Sequence, residues 1–253
     1  MPNPELAFYS DPKVWSVGVA LIALLLSQLP PLHKLFRRGK LELDVYEKTN
    51  ITHMLGNPNM QLHLILSNVG GKQVCIKGIT AKLKIDDKEI NVIKGQNYIK
   101  NPESNGQVIL TKFKLNQSEE WNHATNFFND YTQTDEKQCK SIIKRVRDDI
   151  TKKLKDRGGP SKEFIETTPE LIVEMSDFFQ KNFIWETGEY SLEVSVSCVN
   201  PKHNLTKHYR FTLFESDSDE LKEYATKYKY GESLLYNSKT DFGVLIKLSE
   251  INA

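Results

Sequence analysis

Between residues 14 and 29 the chain carries sixteen consecutive positions without a charge, and Pro30-Pro31 follows at once. As a helix this run spans about 24 Å, somewhat short of the roughly 30 Å hydrocarbon core of a bilayer. Local thinning or extension of the helix absorbs a mismatch of that size. Trp15 stands where an interfacial aromatic belongs. The two prolines lack the N–H that a continuing helix needs, so the helix ends or bends there. A cleaved leader is disfavoured: the segment before the run holds Glu5 and Asp11 against Lys13, and no small-x-small cleavage site follows it. The run is apolar on all faces, unlike a helix that buries one stripe against a soluble core. Residues 14–36 are therefore expected to form a membrane-spanning helix with its basic flank.

Charge asymmetry orients that helix. Lys34, Arg37, Arg38 and Lys40 follow the run, whereas Lys13 alone precedes it. The positive-inside bias places residues 1–13 outside and the remainder in the cytoplasm. Lys34, Arg37 and Arg38 can also meet anionic headgroups, and with Trp15 they make the expected membrane interface. The sequons at Asn50, Asn116 and Asn204 point the other way but are common by chance. Three widely separated cysteines, Cys75, Cys139 and Cys198, fit a reducing compartment better than a disulfide framework.

Beyond Lys40 the hydrophobic period shortens to two. Residues 41–46 alternate apolar and polar, as do residues 61–69 through Leu62, Leu64 and Leu66. Val74, Ile76, Ile79, Ala81, Leu83 and Ile85 continue the pattern, with a bulge expected at Gly78. Asp86-Asp87-Lys88 predicts a tight turn into a strand at 90–93, and a further strand is expected at 108–115. Residues 118–182 read as a helical insertion. Ser118 would cap a short helix through Trp121, Phe127 and Phe128. Ile142, Ile143, Val146, Ile150 and Leu154 make one stripe of a long charged helix over 134–157. Thr168-Pro169-Glu170 opens a third helix facing inward through Leu171, Met175, Phe178 and Phe179. Strands return at 190–199, 208–214 and 242–248, with a short helix after Ser216, whose pairing with Asp219 suggests a capping box.

The fold class expected is mainly β with a helical insertion (α+β), its two halves at 41–115 and 183–253. Glu186-Thr187-Gly188-Glu189-Tyr190, followed by alternating Leu192, Val194 and Val196, resembles the corner before strand F of immunoglobulin-like domains. The resemblance makes Tyr190 the corner tyrosine, its hydroxyl bonded back to the backbone, with Leu192 at the family's disulfide position. It implies an immunoglobulin-like sandwich behind the membrane anchor and says nothing of activity. The chain departs from that family in having no cysteine pair and no strand-C tryptophan. Two small α+β domains split by the helices are the alternative.

Catalytic motifs are not found in the sequence. The histidines lack metal-ligand spacing, and no nucleophile elbow, phosphate loop or dinucleotide fingerprint occurs. No enzyme activity and no cofactor are expected. The formal net charge of +1 provides no whole-molecule field for nucleic acid. Residues 137–157, however, hold nine Lys and Arg against three Asp. This helix offers Lys144, Arg145, Arg147, Lys152 and Lys153 as contacts for a protein partner, while a solvated face is the plainer account. The expectation is a membrane-tethered, non-enzymatic binding or scaffolding protein at the cytoplasmic face of the cell membrane, its partners the bilayer and another protein. The alternative is an oligomerising membrane effector, a second copy packing on Gly18, Ala20, Ala23 and Ser27.

Overall fold

The computed structural model describes residues 15, 16, 19, 20, 23, 24 and 27 and then 38–100, 106–158, 164–235 and 243–251. The seven isolated positions are helical, and Trp15, Val19 and Leu24 among them are exposed. Most of the expected membrane span lies outside the described residues. Among the described residues no helix is long and apolar enough to cross a membrane.

Strands β1 (Leu41–Val45), β2 (Lys48–Met54), β3 (Asn57–Asn68), β4 (Val74–Ile85), β5 (Lys88–Ile99), β6 (Gln107–Ile109), β7 (Phe113–Leu115) and β8 (Glu120–Phe128) precede the helices α1 (Gln133–Asp156) and α2 (Pro169–Asn182). Then come β9 (Gly188–Cys198), β10 (Leu205–Leu213), α3 (Glu215–Thr226), a 3-10 turn Lys227–Tyr230, and β11 (Val244–Lys247) running into β12 (Ser249–Glu250). All pairings are antiparallel, in the order β11-β2-β3-β8-β5-β4-β9-β10-β12, with β1 on β3, β6 on β5 and β7 on β4. The last stretch of chain pairs with β2 through β11 and with β10 through β12, so the sheet curls until its ends nearly meet. Such near-closure covers edges that would otherwise offer unpaired backbone to other chains.

The expectation of a mainly β fold holds. β9 inserts between β4 and β10, so both halves build one sheet around one core. Hydrogen bonding runs through that single sheet instead of dividing between two. The Gly78 bulge is present: Ile76 pairs with Cys198 and Gly78 with Ser197. It shifts the inward phase of β4 from Val74 and Ile76 to Ile79, Ala81 and Leu83, all buried. Without that extra residue one half of the strand would turn its apolar side chains to solvent.

Residues 118–128 correct the expected extent of the helical segment. Ser118 is not an N-cap but a left-handed turn residue at φ 60°, and β8 follows it. Trp121, Thr125 and Phe127 are buried at even spacing, which suits β-branched and aromatic residues on a pleated surface, and β8 bridges β3 to β5. The strand expected at 108–115 is broken into β6 and β7. The cap of α3 also differs: the Asp217 carboxylate accepts from the Phe214 amide at 3.1 Å, while neighbouring Ser218 is buried and donates to the Trp185 carbonyl at 2.8 Å.

α1 and α2 form where their caps direct. The Thr132 hydroxyl accepts the Asp135 amide at 3.1 Å, and acids in the first turn with lysines in the last complement the helix dipole. Pro169 opens α2 after Thr168. Ile142, Val146 and Ile150 of α1 join Leu171, Met175 and Phe178 of α2 in a second core with Cys139, Leu55 and Tyr228. Leu154, expected on the buried stripe, is exposed.

Candidate functional site

The expected contact residues separate into two groups once α1 is packed. Arg145 reaches Glu174 of α2 at 2.5 Å. Lys153 bonds Asp149 at 2.8 Å and the Glu166 carbonyl at 2.9 Å. These two side chains therefore tie the helical pair together and are not free for a partner. Lys144, Arg147 and Lys152 remain exposed, with no ion pair among the described residues. Lys137, Lys140, Lys144 and Arg147 recur three, four and three residues apart, so they share one face, which Lys155 continues and Lys152 borders, four residues beyond Asp148. Lys140 is partly neutralised by Glu136 at 2.5 Å, and Asp148 is the acid on this face. The result is a cationic strip on the side of α1 that faces away from its core.

Of the expected membrane interface, Arg38 is exposed and its carbonyl accepts the Gly71 amide at 2.9 Å. Trp15 is a helical, exposed residue, and Lys34 and Arg37 lie outside the described residues.

Sequence reading missed a buried polar centre where the helices meet the sheet. The β2–β3 turn is made by Leu55 and Gly56, both left-handed (φ 49° and 84°), and it points Leu55 into the helical core. His53, just before it, places Nε2 2.7 Å from the Leu221 carbonyl of α3. A carbonyl only accepts, so Nε2 carries the proton and Nδ1 is an acceptor. The Tyr228 hydroxyl donates to that Nδ1 at 2.8 Å and accepts the Leu55 amide at 3.0 Å. Phe179 and Phe183 pack on the imidazole at ring separations of 5.1 and 5.4 Å. Burial pushes the imidazole down to about 4, against the opposing Leu221 bond, and pushes the Tyr228 phenol up. Every polar atom of the pair is engaged, so this centre fastens the structure and offers no free nucleophile or base. The one hint in the sequence is phase: Ile51, His53 and Leu55 sit two apart on an inward face, with a histidine in the middle.

Among the described residues no group of three His, Cys, Asp or Glu side chains is placed to hold a metal ion. Burial raises the thiols of Cys139 and Cys198, which makes them poor nucleophiles. A groove of about 340 Å³ lies between α2 and the Lys227–Tyr230 turn, floored by Ile172, Met175 and Phe179. Its rim lysines are paired, Lys222 with Glu186 and Lys229 with Glu166, each at 2.7 Å.

At the corner before β9 the Tyr190 hydroxyl bonds back to the backbone. The Tyr190 hydroxyl lies 2.7 Å from the Glu186 carbonyl and 3.0 Å from that of Ile184, and its ring stacks on Phe211 at 4.8 Å. Leu192 is buried in the sheet core. Comparison with protein-family models, with curated proteins and with solved structures finds no match to this chain.

Proposed function

We propose that this chain is a membrane-tethered, non-enzymatic binding protein whose α1 face recognises an acidic protein partner. The observation that carries this reading is the cationic strip itself. Packing withdraws Arg145 and Lys153 into structural bonds, yet leaves Lys144, Arg147 and Lys152 exposed on the outward side of α1 and unpaired among the described residues. Like charges held on one helix face repel one another, a cost that an anionic partner relieves. Tethering rests on the charge-free run at 14–29 and on the exposed apolar side chains of its helical positions Trp15, Val19 and Leu24, which lipid would cover. The basic flank around Arg38 directs the soluble region to the cytoplasmic side. The immunoglobulin-like assignment rests on the Tyr190 corner and concerns fold alone.

The test uses full-length protein extracted from its native membrane in a mild detergent, beside a variant carrying Lys144→Glu, Arg147→Glu and Lys152→Glu. A stoichiometric acidic protein should accompany the first and be lost from the second, with loss also on raising salt. A partner retained by the variant would refute recognition by this face. Loss of binding to anionic vesicles, with no protein partner found, would assign the strip to the lipid surface. Self-association kept by both samples would instead favour an oligomeric membrane effector.

A further inference from the structure

The outer face of the sheet carries a row of side chains that register, not sequence, brings together. Leu245 of β11 pairs with Asn50 of β2, Asn50 with Gln61 of β3, Gln61 with Asn126 of β8, and Asn126 with Asn97 of β5. Four consecutive strands thus carry an amide at the same level, that of Asn126 buried beneath its neighbours and those of Asn50, Gln61 and Asn97 half-buried. Three of these amides form a directed chain: Gln61 Nε2 donates to Asn126 Oδ1 at 2.9 Å, and Asn126 Nδ2 donates to Asn97 Oδ1 at 2.6 Å. One level away, His63 Nε2 lies 2.5 Å from Asn122 Oδ1.

The surface beside this row is not flat. A hollow of about 400 Å³ is bounded by Asn50, Gln61, His63, Tyr46 and Lys48. Ala124, the register partner of His63, also lines it, and its single methyl leaves the depression that a larger residue would fill. Tyr46 stands at the border with 54% of its surface exposed and its ring edge-on to His63 at 6.5 Å. Leu245 closes the other side, 67% exposed.

We propose that this hollow and its amide row bind a neutral, hydroxyl-rich ligand of the oligosaccharide class. The chemistry of the walls selects that class. Amides offer donors and acceptors together without charge, as hydroxyl groups do, and the bonds through Asn126 orient its neighbours, committing Nε2 of Gln61 and Oδ1 of Asn97 and leaving Gln61 Oε1 and Asn97 Nδ2 for other partners. Strand spacing of about 4.8 Å sets successive amides roughly one sugar ring apart. The Tyr46 ring supplies an apolar plane with a polar tip, suited to the C–H face of a pyranose. Lys48 is the one full charge in the wall, and no carboxylate lines it, so neither a cation nor a strongly anionic ligand finds its complement. The site is distinct from the cationic strip of α1.

The test screens full-length protein, held in a zwitterionic detergent without a sugar headgroup, against an array of neutral oligosaccharides: glucans, mannans and β-1,4-linked N-acetylglucosamine oligomers. Calorimetry then measures each ligand retained. At least one should bind, with Tyr46→Ala and Gln61→Ala each weakening it tenfold or more, Tyr46→Trp preserving it, and Lys144→Glu leaving it unchanged. Tyr46 is exposed, so its alanine variant keeps the test valid should Gln61→Ala fail to fold. Binding to no neutral oligosaccharide, or binding that survives Tyr46→Ala, would overturn the assignment.

Discussion

The Tyr228 hydroxyl donates to Nδ1 of His53 across 175 residues of sequence, at 2.8 Å, inside a site that solvent does not reach. The same oxygen accepts the amide of Leu55, a bulky residue in the left-handed region. That conformation is unfavourable for a leucine, and it persists because its side chain is sunk in the helical core and its N–H is bonded. One hydroxyl thereby joins the sheet, the turn and the 3-10 segment after α3.

Removing that hydroxyl should be costly. Tyr228→Phe leaves the buried Leu55 amide without its partner and His53 Nδ1 with only the Gly56 amide at 3.3 Å, for an expected loss of about 1–3 kcal/mol. For a chain of this size each kcal/mol lowers Tm by roughly 2–4 °C. Thermal unfolding followed by circular dichroism checks it. An unchanged Tm would mean that water replaces the hydroxyl.

His53 also gives stability a defined pH dependence. Its imidazole is depressed from an ordinary 6.5 to about 4 in the folded state, by burial first. Above pH 6.5 the group is neutral in both states, and its full contribution is present. As pH falls from 6.5 toward 4, the unfolded chain takes up a proton that the folded chain refuses, so stability declines, by on the order of 3 kcal/mol once pH passes below 4. Denaturant unfolding at pH 7.5, 6, 5 and 4 should show this decline. His53→Gln should be less stable at pH 7.5 but flatter across that window. A parallel decline in both proteins would place the titration elsewhere.

Two glycines separate conformational strain from steric conflict. Gly56 and Gly158 both have positive φ, 84° and 70°. A Cβ on Gly56 would stand 2.4 Å from the Phe179 carbonyl oxygen and 2.9 Å from the Phe183 amide nitrogen, whereas one on Gly158 meets nothing within 4 Å. Gly158→Ala should therefore cost only the left-handed penalty, about 1–2 kcal/mol. Gly56→Ala must in addition push α2 away from the sheet and should be at least twice as damaging. Equilibrium denaturation of the two variants side by side measures the difference.

Tyr190 tests the corner. Tyr190→Phe keeps the stack on Phe211 but gives up the bond to the Glu186 carbonyl, and an expected loss of about 1–2 kcal/mol follows. The Phe211→Leu variant, which keeps the hydroxyl and loses the stack, should cost a similar amount through packing. A Tyr190→Phe variant as stable as the wild type would strip the corner of its structural role.

Local signals read correctly where one residue type forces one conformation. Thr168-Pro169 marks the start of α2, and Gly78 marks a bulge because the apolar phase changes across it. β2 escaped notice because Thr49 and His53 occupy inward positions beside Ile51, which hides the alternation. β8 reads as a helix because Trp121 and Phe128, seven apart, suit two helical turns, while Trp121 and Phe127, six apart, suit one strand face; pairing on both edges decides between them. The centre at His53 and the amide row from Asn50 to Asn97 depend on register and on partners far away in the chain. Only the phase of Ile51, His53 and Leu55 hints at the first, no local pattern announces the second, and packing is what takes Arg145 and Lys153 out of the cationic strip.

Asp149 is where that removal can be measured. Its Oδ2 accepts the Thr167 hydroxyl at 2.9 Å and the Thr168 amide at 3.0 Å, and meets Lys153 at 2.8 Å. Burial opposes its charge, but these three donors outweigh burial and hold the carboxyl below its ordinary range. The carboxylate also sits at the start of α2, where the helix dipole favours it. Asp149→Ala removes all these links between α1 and α2 at once and should cost about 1–3 kcal/mol. Asp149→Asn keeps an acceptor oxygen and should recover part of that. Arg145→Ala, by contrast, removes a half-exposed pair and should cost less than about 1 kcal/mol. If urea unfolding ranks the three in that order, the helices are joined mainly through Asp149, and the surface left to a partner is the face of Lys144, Arg147 and Lys152. If Arg145→Ala proves the most damaging, the Arg145–Glu174 pair is the main joint instead.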